Sequence, residues 1–77
     1  MNLKEAYEKT KKDYRDWTIA YILETKDMYI FSMHPKDGII LELPVLCKNG
    51  SYEMHDFLDI LHISDKEIIR KINPEDL

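Results

Sequence analysis

Asn49-Gly50 constrains this chain more than any other pair of residues. Both tolerate the positive φ that a type I′ hairpin turn requires, and alternating apolar and polar residues flank them on each side. Closed as a two-residue loop, the turn sets Lys48 against Ser51, Cys47 against Tyr52, Leu46 against Glu53 and Val45 against Met54. That register gives one apolar face and one mostly polar face, and a slip of one residue would bury Glu53 and expose Tyr52. A second turn lies upstream at Pro35-Lys36-Asp37-Gly38, with proline where φ must be about −65° and glycine where φ must be positive.

Strand signals fill the space around these turns. Trp17, Ile19, Tyr21 and Leu23 alternate with Thr18, Ala20, Ile22 and Glu24, and the β-branched and aromatic residues among them suit a strand. Thr25-Lys26-Asp27 breaks the pattern before a second strand from Met28 to His34, and a third starts at Ile39. Pro44 cannot donate to a ladder, so it predicts a bend or a break within residues 39–48. Successive hairpins through four strands make an antiparallel meander.

Helical spacing flanks the meander. Leu3, Ala6, Tyr7, Thr10 and Tyr14 form one face of an N-terminal helix over residues 3–15, with Asn2 as its N-cap and Glu5–Lys9 and Glu8–Lys12 as i,i+4 pairs worth ~0.3 kcal/mol each. Behind Asp56, Phe57, Leu58, Leu61 and Ile60 predict a short helical turn. Ser64-Asp65-Lys66-Glu67 is a capping box with Ile63 and Ile68 as its hydrophobic staple, so a last helix is predicted from Asp65, with Ile68, Ile69 and Ile72 on its apolar side and Asn73-Pro74 as its stop. The fold class is α+β: an N-terminal helix, a four-stranded antiparallel β-meander and one or two short C-terminal helices. All helices cover one face in a two-layer sandwich, a single domain over residues 1–77.

Composition narrows the functions. With 77 residues, 44% hydrophobic and 34% charged, there is material for one thin core and a well-solvated surface. Cys47 is the only cysteine, which excludes an internal disulfide and favours a reducing compartment. The first residues are charged from Lys4 onward and lack a secretory pattern, and no apolar run approaches the ~20 residues needed to cross a bilayer, so a cytoplasmic location is expected. The net charge of −4 arises in residues 17–63, which carry three bases against seven acids. A hold on phosphate backbones needs the opposite sign, so nucleic acid is a disfavoured partner. Nine lysines against two arginines, with abundant isoleucine, match the usage of AT-rich bacterial or phage genomes.

Candidate chemistry is sparse. His55, Asp59 and His62 stand at i, i+4 and i+7 and would line one side of a continuous helix as metal ligands, although structural sites normally want a fourth. Cys47 lies on the apolar side of its hairpin with no general base beside it, and Gly38 and Gly50 are both used by turns, leaving no phosphate loop. Glu53, Asp56 and Asp59 lack the cleft that paired-acid catalysis needs. No catalytic residue, cofactor or enzymatic activity is expected. Residues 60–72 loosely resemble the end of a helix-turn-helix with Lys66, Arg70 and Lys71 as its only bases, which makes a small DNA-binding regulatory protein the alternative reading. A small-ligand or metal-binding domain around His55 is a third.

The leading expectation is protein binding. Ile22, Ile40 and Leu46 fall on the sheet face opposite the helices, where exposed apolar residues mark contact with another protein, and Glu42 and Glu53 supply an acidic rim suited to a basic partner. Two unpaired sheet edges, or that open face, also leave room for a homodimer. The helix Glu5-Ala6-Tyr7-Glu8-Lys9, the aromatic hairpin from Tyr21 to Met33 and the turn Val45-Leu46-Cys47-Lys48-Asn49-Gly50-Ser51-Tyr52-Glu53 together resemble small bacterial immunity-type and uncharacterised domains in which one helix packs on a β-meander. That resemblance is architectural. It implies a cytosolic protein that binds and neutralises a toxin, and it carries no functional residue over position by position.

Overall fold

Asn2 starts the first helix as its side chain predicts. The computed structural model describes the backbone of residues 1–77 and the side chains of residues 1–63 and 68–77. Helix α1 spans Leu3–Asp13, and the Glu5 amide donates to Asn2 Oδ1 at 2.9 Å while the Asn2 amide donates back to Glu5 Oε1 at 3.4 Å. This closes a reciprocal capping box. Because the Glu5 carboxylate is held there, Lys9 pairs forward with Asp13 at 2.9 Å rather than back with Glu5. Ala6 and Thr10 form the buried stripe.

The strands β1 (Trp17–Glu24), β2 (Met28–Pro35), β3 (Glu42–Cys47) and β4 (Tyr52–Asp56) form the antiparallel meander in the predicted order. A fifth strand, β5 (Arg70–Ile72), adds to the free edge of β1 and gives the order β4-β3-β2-β1-β5. Residues 70–72 were expected in a terminal helix. Instead Ile72 pairs with Ile22 and Arg70 with Glu24, and the Ile69 amide donates to the Glu24 carbonyl at 2.8 Å. The unpaired backbone of β1 and the β-branched residues around Arg70 outweigh a marginal two-turn helix. One helix, α2 (Phe57–Glu67), replaces the short turn and the separate last helix, and the capping-box side chains of residues 64–67 lie outside the described residues.

Two one-residue irregularities decide which side chains are inside. In β1 the pairing with β2 shifts between Ile19 and Tyr21, so Ala20 is an extra residue. Past this bulge Tyr21 and Leu23 turn to the face opposite Trp17 and Ile19, and Ile22 joins Ile19. At the β3–β4 hairpin Gly50 alone has positive φ, +98°, and among the described residues only glycines do. The Gly50 amide donates to the Cys47 carbonyl at 2.9 Å and the Cys47 amide to the Ser51 carbonyl at 2.8 Å. That is a three-residue loop with a glycine bulge, not the two-residue type I′ turn. Its extra residue sets Leu46 against Tyr52, Val45 against Glu53 and Pro44 against Met54, one step from the predicted register. Met54 is exposed in consequence, while Tyr52 remains half-buried.

Pro44 does not split its strand, which runs unbroken over Glu42–Cys47. The β2–β3 ladder ends at Val45, the residue next to the proline, and β3 continues on β4 alone from Pro44 back to Glu42. Residues 36–41 form a loop, so the third strand begins at Glu42 rather than at Ile39.

Both sheet faces carry a helix. Tyr52 shares one face with Leu46 and Tyr29, and its hydroxyl donates to Asp13 of α1 at 2.8 Å, its ring meets Tyr14 edge-on and Lys9 sits over it. On that first face Ile22, Tyr29, Phe31, Met33 and Leu46 are buried on the side where α1 buries Ala6 and Thr10. On the second face Ile30, Leu43 and Val45 are buried beneath Ile60 and the half-buried Ile63 of α2. Each well-buried side chain of this kind contributes about 1.5–3 kcal/mol. The architecture is α+β with three layers rather than two, and it leaves no wholly open sheet face. Ile22 and Leu46, assigned to an open face by sequence, are fully buried because the Ala20 bulge and the glycine-bulge loop put them on the α1 face, and Ile40 is a half-buried loop residue packed against the core.

Candidate functional site

The predicted metal triplet does not assemble. His55 lies in β4, and α2 begins only at Phe57 with Asp56 as its N-cap, accepting from the Asp59 amide at 2.8 Å. His55 Nδ1 is 3.8 Å from Asp59 Oδ2 and Nε2 is 3.6 Å from Glu53 Oε1, so the two carboxylates sit on opposite nitrogens of one ring and share no common point. His62 is exposed, and no group of three or more His, Cys, Asp or Glu among the described residues could hold a metal ion. Cys47 Sγ lies 3.2 Å from Glu53 Oε2, and burial followed by that carboxylate pushes its pKa up, the direction that suppresses a thiolate nucleophile. Residues 60–72 hold the end of α2 and strand β5, so the second helix of a helix-turn-helix is absent from them.

What the fold does assemble is an apolar ridge with an acidic border. Phe57-Leu58-Asp59-Ile60-Leu61 holds four large apolar residues in little more than one helical turn, and a helix lying on a sheet buries only one stripe of them. Ile60 takes the buried position, leaving Phe57, Leu58 and Leu61 exposed at 48%, 77% and 60%. The last rung of the β3–β4 ladder, Glu42 opposite Asp56, then brings Leu41 and Phe57 side by side in the chain leaving each strand. Leu41 and Ile39 of the 36–41 loop are exposed at 80% and 92%. Glu42, Glu53, Asp56 and Asp59, which lie on or next to the same segments in the chain, are all exposed. Glu42 and Glu53 were expected at such a rim; the apolar residues they flank are different ones.

Behind the ridge, α2 does not close fully over the second face. A cleft of about 440 Å³ remains, with Leu23, Ile30 and Leu43 as its floor and Phe57, Ile60 and Leu61 as its helix wall. Tyr21, Ser32 and Lys71 form its far side, and the Lys71 ammonium stands 4.4 Å from the centre of the Tyr21 ring. No helix among the described residues is long and apolar enough to cross a membrane.

The ridge was legible in part. The crowding of apolar residues at 57–61 exceeds what a short helix can bury, and that excess marks it without any structure. Ile39 and Leu41 carried no such mark, because they extend an apparently continuous strand. No protein-family model matches the chain, nor does any curated protein or solved structure.

Proposed function

We propose that this chain is a non-enzymatic protein-interaction domain whose docking surface is the ridge of Ile39, Leu41, Phe57, Leu58 and Leu61, and whose partner presents a basic, amphipathic segment. The observation that carries the reading is five large apolar side chains, each about half exposed or more, in two segments that leave the sheet from the same Glu42–Asp56 rung, with four exposed carboxylates on those segments and on β4. Exposed apolar residues grouped in this way mark contact surfaces, whereas singly scattered ones need no explanation. The border sets the sign of the partner. A second copy would bring the same carboxylates face to face, which like-charge repulsion disfavours, so a basic partner fits better than self-association. Toxin neutralisation, which the architectural resemblance implies, is one role such a domain would serve, and the lone thiol Cys47 supports a cytoplasmic setting.

The test is a titration of the protein into a fluorescent helical peptide with leucines on one face and lysines on the other. Saturable binding is expected to weaken as salt is raised and to fall at least about tenfold in the double variant L41S/L58S, a loss of about 1.4 kcal/mol. Equal affinity for the variant would contradict the reading.

A further inference from the structure

The cleft beside α2 has a chemistry distinct from the ridge in front of it. Seven of its nine described lining residues are apolar or aromatic, and the other two are Ser32 and Lys71. Lys71 is fixed there by strand pairing: it sits opposite Leu23, so it shares the second sheet face with Leu23, and its ammonium lies over Tyr21. Among the described residues no carboxylate lies within ion-pair distance of that ammonium and no protein group hydrogen-bonds the Ser32 hydroxyl, whereas Lys9, Lys48 and Arg70 are each paired with an acid. Among the described residues no carboxylate lines the cleft. The site is therefore an apolar trough with one cation and one hydroxyl on its far side, inside a chain whose net charge is −4.

We propose that the cleft binds a free medium-chain fatty acid, with the alkyl chain along Leu23, Ile30 and Leu61 and the carboxylate held by Lys71 and Ser32. A volume of about 440 Å³ lies in the usual range for small-ligand sites, which are mostly apolar with a few convergent polar groups. One lysine without an arginine fork or a second base matches a single negative charge better than a phosphate. The apolar lining favours a tail whose burial contributes through its methylenes.

Decanoate is the probe, followed by methyl-resolved NMR on the intact chain, with decanol as the uncharged analogue of the same length. Saturable shifts at the Leu23, Ile30 and Leu61 methyls are expected, with affinity about tenfold weaker for decanol and for K71Q. L61W, placed at a half-exposed position where folding tolerates it, is expected to fill the trough and abolish binding. L41S/L58S should leave decanoate binding unchanged, so failure of peptide docking and failure of this site are distinguishable. Decanol binding as tightly as decanoate, unchanged affinity in K71Q, or shifts confined to the α1 face would each overturn the proposal.

Discussion

The two faces of this sheet are roofed by helices of equal length, eleven residues each, yet one roof is closed and the other is not. Helix α1 is tied down along its whole length. Its capping box holds the first turn, the Met1 ammonium donates to the Lys48 carbonyl at 3.2 Å, and Tyr14 packs edge-on against both Trp17 and Tyr52 at the far end. Burial pushes the Tyr52 phenol up to about 12, with the Asp13 carboxylate adding to it. Helix α2 has Ile60 and Ile63 on the sheet and leaves Phe57, Leu58 and Leu61 outside. The difference teaches that helix length and apolar content do not decide coverage. The distribution of apolar residues around the helix does, and α2 carries more than one stripe can bury.

Substitutions should separate the two roofs. The largest effect is expected from Phe31→Ala beneath α1, where the ring is fully buried: a loss of about 3–5 kcal/mol in urea unfolding. Next is Glu24→Gln. The Glu24 carboxylate, largely buried, accepts from Lys48 Nζ at 2.7 Å and from Arg70 Nε, linking β1 to the β3–β4 turn and to β5. Its removal is expected to cost about 2 kcal/mol at neutral pH. The Lys48 hydrogen bond, aided by Arg70 and opposed by burial, holds the Glu24 pKa below its ordinary 4.5. The stability it contributes is therefore present above that value and lost as pH falls through the lower folded one. Glu24→Gln should lack this part of the acid limb, and unchanged acid sensitivity would show that the carboxylate is not the link.

Thr10→Val tests the closed roof from the other direction. The Thr10 hydroxyl is fully buried and, beyond a weak approach to the Tyr52 phenol, has no hydrogen-bond partner among the described residues, so its replacement by a methyl group should stabilise the fold by up to about 1 kcal/mol, read as a higher urea midpoint. The smallest effect belongs to the open roof. Leu58→Ser should change stability by less than about 0.5 kcal/mol, because the side chain is mostly in water already.

How much of this was readable beforehand follows the same division. Helix α1 and the four meander strands stand out because capping residues and period-two alternation act over several positions at once. Each misplaced face traces to a single residue. Ala20 forms a bulge, and alanine gives no sign of one; Asn49-Gly50 fits both a two-residue turn and the glycine-bulge loop, which differ by one register step. Strand β5 was hidden because Ile68 and Ile72 are spaced for a helix as well as for strand ends. The second covered face did have a signal. Tyr29-Ile30-Phe31 and Leu43-Pro44-Val45-Leu46 are uninterrupted apolar runs, the mark of strands buried on both sides, and weighing them above the alternation of β1 would have placed α2 opposite α1. Of the candidate site, the acidic members Glu42 and Glu53 were accessible to sequence reasoning. The apolar ones depend on which way α2 rolls on the sheet, which is a packing outcome.

Solvent relaxation of methyl resonances by a soluble gadolinium chelate tests the unequal roofs most directly, at a concentration where sedimentation shows a monomer. Strong relaxation is predicted at Leu41, Leu58 and Leu61, with Ile22 and Leu46 protected. Protection of Leu58 and Leu61 equal to that of Leu46 would mean that α2 closes its face as fully as α1, and the docking surface would not exist.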